Sequence, residues 1–336
     1  MPELRKNIIT REWVIISKER SIRPEEFKKN HVKIVTDKEE ILKKCPFCPG
    51  NESMTPDIIL SYKNGKSKNK YDWDVRVVPN KYPALVSRGE LKKHSEGVYV
   101  ISNGVGEHEV IIESPDHFTD ITLMDLNQIE SIITVYYKRY TELSNRKNLR
   151  HIIIFRNHGP EAGTSLSHPH SQLIATPVIP KDVFLDIKGA TLYYEYEEDC
   201  PYCRIIQFED QAGERKVCEN DSFISICPFF SKYPFEIWIL PRKHDSSFAC
   251  STQKQRKDLA WILKETLLRL SKCLSDPSYN LTLHSLMVPE KHSDSYHWHL
   301  QITPRITTPA GFELGTGMYI NTTAPEEAAK FLSGIK

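Results

Sequence analysis

The chain has 336 residues, with 45 Lys+Arg against 44 Asp+Glu and a formal net charge of +1. That length can bury a sizeable core as one large domain or two ordinary ones. The charge balance argues against the basic footprint of a nucleic-acid binder or an acidic-membrane protein. Met1-Pro2-Glu3-Leu4-Arg5-Lys6 has no apolar leader region and no apolar run approaches membrane-spanning length, so the expectation is a cytoplasmic protein with no membrane partner.

In chain order, Ile8 to Ser17 reads as one or two short strands around a turn, followed by a basic, irregular stretch holding Arg20 and Arg23. Locally these are ordinary surface arginines, although a planar guanidinium also matches phosphate oxygens. Cys45-Pro46-Phe47-Cys48-Pro49-Gly50 is a tight knuckle whose two thiolates can share one tetrahedral metal ion. The rival, a redox pair, lacks its usual helix and βαβ setting. Strands are expected around Arg76 to Pro79 and Glu107 to Glu113, the second stopping at Ser114-Pro115-Asp116-His117. From Leu123 to Leu143 the apolar positions recur at helical spacing, which predicts a helix with one core face.

The apolar run His151 to Phe155 then leads into Asn157-His158-Gly159-Pro160-Glu161-Ala162-Gly163-Thr164-Ser165-Leu166-Ser167-His168-Pro169-His170-Ser171-Gln172. Two glycines, small hydroxyl residues and a His-Pro-His triplet between two strands suggest a loop of backbone N–H groups facing an anion, with two imidazoles beside it.

The rest of the chain repeats this plan. Cys200-Pro201-Tyr202-Cys203 echoes the first knuckle, and Lys232-Tyr233-Pro234 echoes Lys81-Tyr82-Pro83. A strand reaches His244, a helix follows over about Asp258 to Leu274, and His297-Trp298-His299-Leu300-Gln301 stands in register with His168 to Gln172. This order predicts an α+β fold of two tandem halves, 1–180 and 181–336, each a mostly antiparallel sheet with packed helices. Near the end, the glycine-rich segment 310–321 reads as an ordered loop, and Thr323-x-x-Glu326 with Pro325 as the cap of a last short helix.

Each half offers two Cys and two His in the same order: Cys45, Cys48, His117 and His168, then Cys200, Cys203, His244 and His297. Two closed Cys₂His₂ sites are expected, one per half, with zinc or iron as the metal and a structural role. The alternative leaves His117 and His244 on the surface. With His168 held by metal, His170 on the same strand face is free to act as a nucleophile. Gly163, Thr164 and Ser165 supply donors for a phosphate, and Gln172 projects beside His170. This arrangement suits covalent nucleotidyl transfer. His299, the duplicate of His170, lacks the Gly-x-Ser approach and reads as structural or substrate-side. A zinc-stabilised nucleic-acid-binding module is the alternative from another class, opposed by the charge balance and the wide separation of the knuckles.

These motifs resemble the galactose-1-phosphate uridylyltransferase family of the histidine-triad superfamily over nearly the whole chain. The resemblance rests on Arg20-x-x-Arg23-Pro24, Cys45-x-x-Cys48-Pro49-Gly50, Val77-x-x-Asn80, Asn157-x-Gly159, Gly163-x-Ser165 and His168-Pro169-His170-x-Gln172. It implies a homodimer of paired histidine-triad-like halves and a ping-pong reaction on a nucleotide sugar and a hexose 1-phosphate. UMP would pass from UDP-glucose to His170 and then to galactose 1-phosphate. Gln172, with Ser165 and Gly163, would hold the phosphoryl oxygens, Asn80 and Asn157 would lie near the nucleoside, and Arg20 and Arg23 would meet phosphate. The C-terminal loop carrying Phe312 would face the hexose. Lys81 replaces an acidic residue of the best-studied bacterial form, and Thr316-Gly317 replaces its Tyr and Glu. The Ala310 to Gly317 segment also resembles the branch with ADP-glucose phosphorylases, which pass AMP to phosphate. The two Cys-x-x-Cys pairs resemble the branch with zinc in both halves.

Overall fold

A computed structural model describes residues 1–17, 37–66, 69–287 and 294–335, so Arg20 and Arg23 lie outside the described residues. Its first elements are β1 (Glu3–Lys6), β2 (Trp13–Ile16), α1 (Lys38–Lys44), β3 (Leu60–Tyr62), β4 (Val75–Pro79), β5 (Lys93–Glu96), β6 (Tyr99–Ser102) and β7 (Glu107–Ile112). Then come α2 (Leu126–Ser144), β8 (His151–His158), β9 (His170–Thr176), α3 (Lys181–Glu197), α4 (Pro201–Ala212), β10 (Lys216–Glu219), β11 (Phe223–Ile226) and β12 (Ile237–Pro241). The last are α5 (Gln253–Leu274), β13 (Tyr279–His284), β14 (His299–Pro304), α6 (Gly311–Thr316), β15 (Ile320–Asn321) and α7 (Pro325–Ser333).

Ten strands join in one antiparallel sheet, in the order β10-β11-β12-β14-β13-β8-β9-β7-β4-β3. The duplication is visible in this order, since β3, β4, β7, β9 and β8 answer β10, β11, β12, β14 and β13. A sheet for each half was the expectation, and the two instead merge. Strands β8 and β13 pair edge to edge, with Asn157 opposite Asn280 and Arg156 opposite Leu281. Either strand alone would leave a full row of N–H and C=O groups unpaired, and pairing them satisfies both rows.

One face of this sheet carries the main core. On β8 the alternation turns Ile152, Ile154 and Arg156 inward and leaves Phe155 and Asn157 on the other face. Helix α2 buries Ile129, Ile132, Ile133, Tyr136, Tyr140 and Leu143, and α5 buries Leu259, Ile262, Leu263, Leu267 and Leu270. Both sets follow the spacing of one helical face. Each helix is capped as its sequence invites: Asp125 accepts from Gln128 N–H, and Thr252 forms a reciprocal box with Gln255.

The opposite face differs between the halves, and this difference creates the site. Over the C-terminal strands it is covered by α3, α4 and the β1–β2 hairpin, through Ala190, Tyr202, Ile206 and Ile9 against Ile224, Trp238 and Leu240. Gly189 allows that close approach, because a Cβ there would stand 2.0 Å from the Ile9 carbonyl. Over the N-terminal strands, among the described residues, the Cys45–Cys48 knuckle with Phe47 and Trp73 packs on Val78, Val110 and Ile112. His170, itself buried, lines a cavity on this face.

Two terminal expectations are corrected. The segment read as a glycine-rich loop winds into α6, closed by Gly317 at φ 72°. Helix α7 starts at Ala324 with no side-chain cap, because Glu326 turns to Arg5 (2.9 Å) and Arg215 (2.8 Å) instead of back toward Thr323.

Candidate active site and metal clusters

The site is built from the knuckle upward. Cys45 and Cys48 leave the end of α1, and His117 follows β7. The Sγ of Cys48 lies 3.4 Å from His117 Nδ1 and 3.5 Å from His168 Nδ1, and the Sγ of Cys45 lies 3.6 Å from His168 Nδ1. In the second half Cys203 Sγ lies 3.3 Å from His244 Nδ1 and 3.6 Å from His297 Nδ1. The four donor atoms of each set lie within 4.8 Å of one another, so all eight expected ligands are brought together in two groups.

These edges fit a metal. With metal–sulfur and metal–nitrogen bonds of about 2.3 and 2.05 Å, tetrahedral angles put sulfur and nitrogen roughly 3.6 Å apart. The outer ring nitrogens fit as well. His168 Nε2 donates to the Ser114 carbonyl at 2.8 Å and His297 Nε2 to the Pro241 carbonyl at 2.8 Å, while His117 Nε2 is 2.9 Å from Ser167 Oγ. A carbonyl can only accept, so His168 and His297 carry their proton on Nε2 and present bare Nδ1 atoms to the cluster. Burial, with the Cys45 sulfur beside it, pushes the Cys48 thiol up to about 12, a cost that a cation among the sulfurs reverses.

His168 also positions the residue two places along. Its backbone carbonyl accepts the Nδ1–H of His170 at 2.8 Å. That bond leaves His170 Nε2 as a bare lone pair in a cavity of about 700 Å³, lined by Asn157, Gly159, Thr164, Ser165 and Asp276 among others. Burial lowers the pKa of His170, partly offset by the His168 carbonyl and Glu113, so the ring is neutral near pH 7. The Phe47 ring packs 5.3 Å from it.

Of the three candidate amides, Asn157 lines this cavity, while Gln172 and Asn80 are not among its lining residues. His108 Nδ1 accepts from Ala84 N–H at 3.0 Å, so its proton sits on Nε2 and donates to Gln172 Oε1 at 2.8 Å. Asn80, whose Oδ1 takes Tyr82 N–H at 2.9 Å, sends its NH₂ toward the same oxygen at 3.4 Å. The Gln172 NH₂ has no partner among the described residues. Asn157 is fixed from the other half. The Asn280 NH₂ donates to the Ala162 carbonyl at 3.0 Å and to Asn157 Oδ1 at 2.9 Å, which leaves the Asn157 NH₂ unspent.

The loop between them depends on two glycines. Gly159 sits at φ 79°, and a Cβ there would meet Ser278 Oγ at 2.2 Å, whereas Gly163 needs only its φ of 86°. Ser165 stands exposed at the mouth. Phe312 lies half exposed on α6 and is not among the residues lining the His170 cavity in its own chain.

Sequence reasoning missed His108, Asn280 and a buried network behind β9. There Arg156 binds Glu113 at 2.9 Å and Tyr279 Oη at 2.7 Å, and Glu113 accepts from Tyr136 Oη at 3.0 Å. Glu113 N–H also donates to the Pro169 carbonyl at 3.0 Å, tying the network to the His-Pro-His triplet. Only strand register carries such information. His108 shares a face with Val110, whose cross-strand partner is Gln172, and Asn280 meets Asn157 through the junction of the halves.

The galactose-1-phosphate uridyl transferase N-terminal domain model matches residues 1–180 and the C-terminal domain model of the same family matches 180–320. The chain belongs to the galactose-1-phosphate uridyl transferase family, a family of nucleotidyltransferases. Within it, an ADP-glucose phosphorylase of Arabidopsis thaliana is 36% identical over 338 residues, 99% of this chain and 93% of that protein. A galactose-1-phosphate uridylyltransferase of Thermotoga maritima is 30% identical, over 99% of this chain and 98% of its own. The crystal structure of an Arabidopsis ADP-glucose phosphorylase with bound ADP-glucose superposes with a TM-score of 0.82 at 33% identity, covering 100% of both chains. A uridylyltransferase structure gives 0.75 at 28% identity, covering 99% of this chain and 97% of that one.

If His108 acts by orienting Gln172, the two substitutions should not add. Gln172→Ala is expected to slow nucleotidyl transfer on the order of 100-fold, as loss of a donor to a developing charge does. His108→Phe should cost much of that at an unchanged melting temperature, and the double variant should be little slower than Gln172→Ala. Fully additive single-turnover rates would contradict the assignment.

Proposed function

We propose that the protein transfers AMP from ADP-glucose to phosphate through a covalent intermediate on His170. The observation that carries the chemistry is the lone pair of His170 Nε2, fixed by the bond from Nδ1 to the His168 carbonyl. Nε2 attacks the α-phosphorus, a phosphorus–nitrogen bond forms, and the bond to the oxygen of glucose 1-phosphate breaks. Glucose 1-phosphate leaves with that electron pair. Phosphate then attacks the same phosphorus, the nitrogen leaves, and ADP is released with His170 restored. Positive charge that builds on the ring strengthens its bond to the His168 carbonyl. Gln172, Asn157, Ser165 and the Gly163 loop direct donors at the non-bridging oxygens, where charge grows in the transition state.

Full-length likeness to an ADP-glucose phosphorylase at 36% identity supports adenine as the base, as does the Ala310 to Gly317 segment. Uridylyl transfer from UDP-glucose to galactose 1-phosphate, the first expectation from the sequence, is the second reading. It is favoured by the family model and by the 30% identical uridylyltransferase. In both readings residues 1–180 form the half with the nucleophile, and Arg20 and Arg23 meet substrate phosphate. The protein works as a homodimer in the cytoplasm. Phe312, 46% exposed at the start of α6, suits a hexose-side contact across the dimer.

Zinc is the proposed occupant of both Cys₂His₂ groups. With four protein ligands it has no open position, so when bound it supplies support and not a reacting atom. Cys45, Cys48, His117 and His168 would hold one ion, and Cys200, Cys203, His244 and His297 the other.

Intact-mass analysis separates the nucleotide readings. ADP-glucose should add one AMP to the wild type and none to His170→Ala. A UMP adduct formed in preference from UDP-glucose would select the second reading, and no adduct from either would overturn both. Elemental analysis should find two zinc ions per chain, one of them lost in Cys45→Ser and the other in Cys200→Ser. Iron in place of zinc would correct the metal, and full activity after complete chelation would contradict the supporting role of the first site.

A further inference from the structure

The C-terminal half repeats the strands of the active site, and register makes the correspondence residue by residue. His170 and Gln172 on β9 answer His299 and Gln301 on β14. Through the pairings of these strands, Asn157 answers His284 and His108 answers Glu236. These residues border a cavity of about 330 Å³ beneath the β1–β2 hairpin and α3. We propose that this cavity is a second ligand site, for a neutral, hydroxyl-rich molecule of hexose size.

The first support is an unspent lone pair. His299 is 3% exposed and its Nδ1–H donates to the His297 carbonyl at 3.1 Å, so Nε2 is an acceptor by the logic applied to His170. Among the described residues Nε2 has no hydrogen-bond partner, and the ring lines the cavity. It is clamped between His284 and Trp238, each with its ring centroid 4.8 Å away.

The second support is an inverted polarity. With Glu236 in place of His108, the Gln301 amide turns round. Its NH₂ goes to Glu236 at 2.8 Å, and its Oε1 takes Nε2–H of His284 at 3.0 Å. Glu236 also accepts from Lys232 N–H at 2.8 Å and from Trp238 Nε1 at 3.0 Å. The Lys232 ammonium is engaged by Glu12 at 2.7 Å. The active site thus reserves amide donors for a phosphate, whereas here the corresponding donors are spent and an acceptor is left over. Asp182 and Asp186 add carboxyl oxygens to the wall, against Arg305 as the remaining cation. A phosphate would meet lone pairs and carboxylates.

The hydroxyl groups of a sugar can donate to His299 Nε2 and the carboxyl groups and accept from Arg305, Thr303 and Tyr319 on the same wall. Glu12 is paired with Lys232, Glu236 is held by neutral N–H donors, and Arg305 shares the wall with Asp182 and Asp186, a mixed lining that favours a neutral guest over a cation. Tyr202, Phe230 and Trp238 supply apolar faces for the C–H side of a sugar ring, and the volume lies in the range of small-molecule sites. The inference does not depend on which nucleotide the active site uses.

The test is calorimetric titration of the zinc-loaded, full-length protein with D-glucose and D-galactose, and separately with inorganic phosphate and with glucosamine. One of the two neutral hexoses should bind saturably, equally well in His170→Ala, and at least about tenfold more weakly in His299→Phe. That variant keeps an aromatic ring and removes the lone pair, and Thr303→Val on the cavity wall provides a second variant that leaves the stack intact. Nucleotidylation of His170 should be unchanged in both. No hexose binding, binding lost in His170→Ala but kept in His299→Phe and Thr303→Val, or tighter binding of phosphate or glucosamine would each overturn the proposal.

Discussion

A single hydrogen bond, from the Nδ1–H of His170 to the carbonyl of His168, sets what this molecule can do. Imidazole has two nitrogens, and a nucleophile needs one of them bare and aimed. The bond fixes both the tautomer and the ring plane, and its acceptor belongs to the residue whose own ring is built into the Cys₂His₂ cluster. His168 is fully buried, held by Ser114 on one ring nitrogen and facing two thiols with the other. The carbonyl is therefore as rigid as the cluster. Removing a cluster ligand would leave the chemistry of His170 intact in principle and remove the geometry that makes it useful.

The same support exists twice, and only one copy opens onto a nucleotide-sized, donor-lined cavity. Four features separate them: the Gly159 to Ser165 loop, the half-buried face of β9, His108 where the other half has Glu236, and Asn157 where it has His284. Each changes hydrogen-bond polarity or access without changing the strand scaffold. A fold that keeps its backbone can thus hold two recognition chemistries, because the direction of an amide is set by one neighbour. The halves are also not independent. Asn280 reaches across the β8–β13 junction to orient Asn157, and Tyr279 meets Arg156 behind the nucleophile. The half that holds His170 depends on its duplicate for the alignment of Asn157 and Arg156.

Much of this was legible in the chain. The repeated order of Cys-x-x-Cys, His and His-x-His-x-Gln named all eight residues of the two clusters, because metal ligands are few in kind and their order survives duplication. The His-Pro-His triplet marked His170 as a candidate, although the strand begins only at His170, and periodicity gave α2 and α5. The merger of two sheets into one was not, since edge pairing of β8 with β13 leaves no local mark on either strand. His108, Asn280 and Glu113 were hidden for a related reason: their roles lie in cross-strand register, and in sequence each is one polar residue on a strand. The winding of 311–316 into α6 was masked by glycines that suggested a loop, and Glu326 abandoned its cap because two arginines were closer.

The most direct test of the central claim reads the ring itself. In ¹⁵N-histidine spectra of the metal-loaded protein, His170 should appear as the neutral tautomer with its proton on Nδ1. That signature should be lost or averaged in Cys48→Ser and kept in Cys203→Ser. A proton on Nε2, or a His170 tautomer indifferent to loss of the first cluster, would contradict the account.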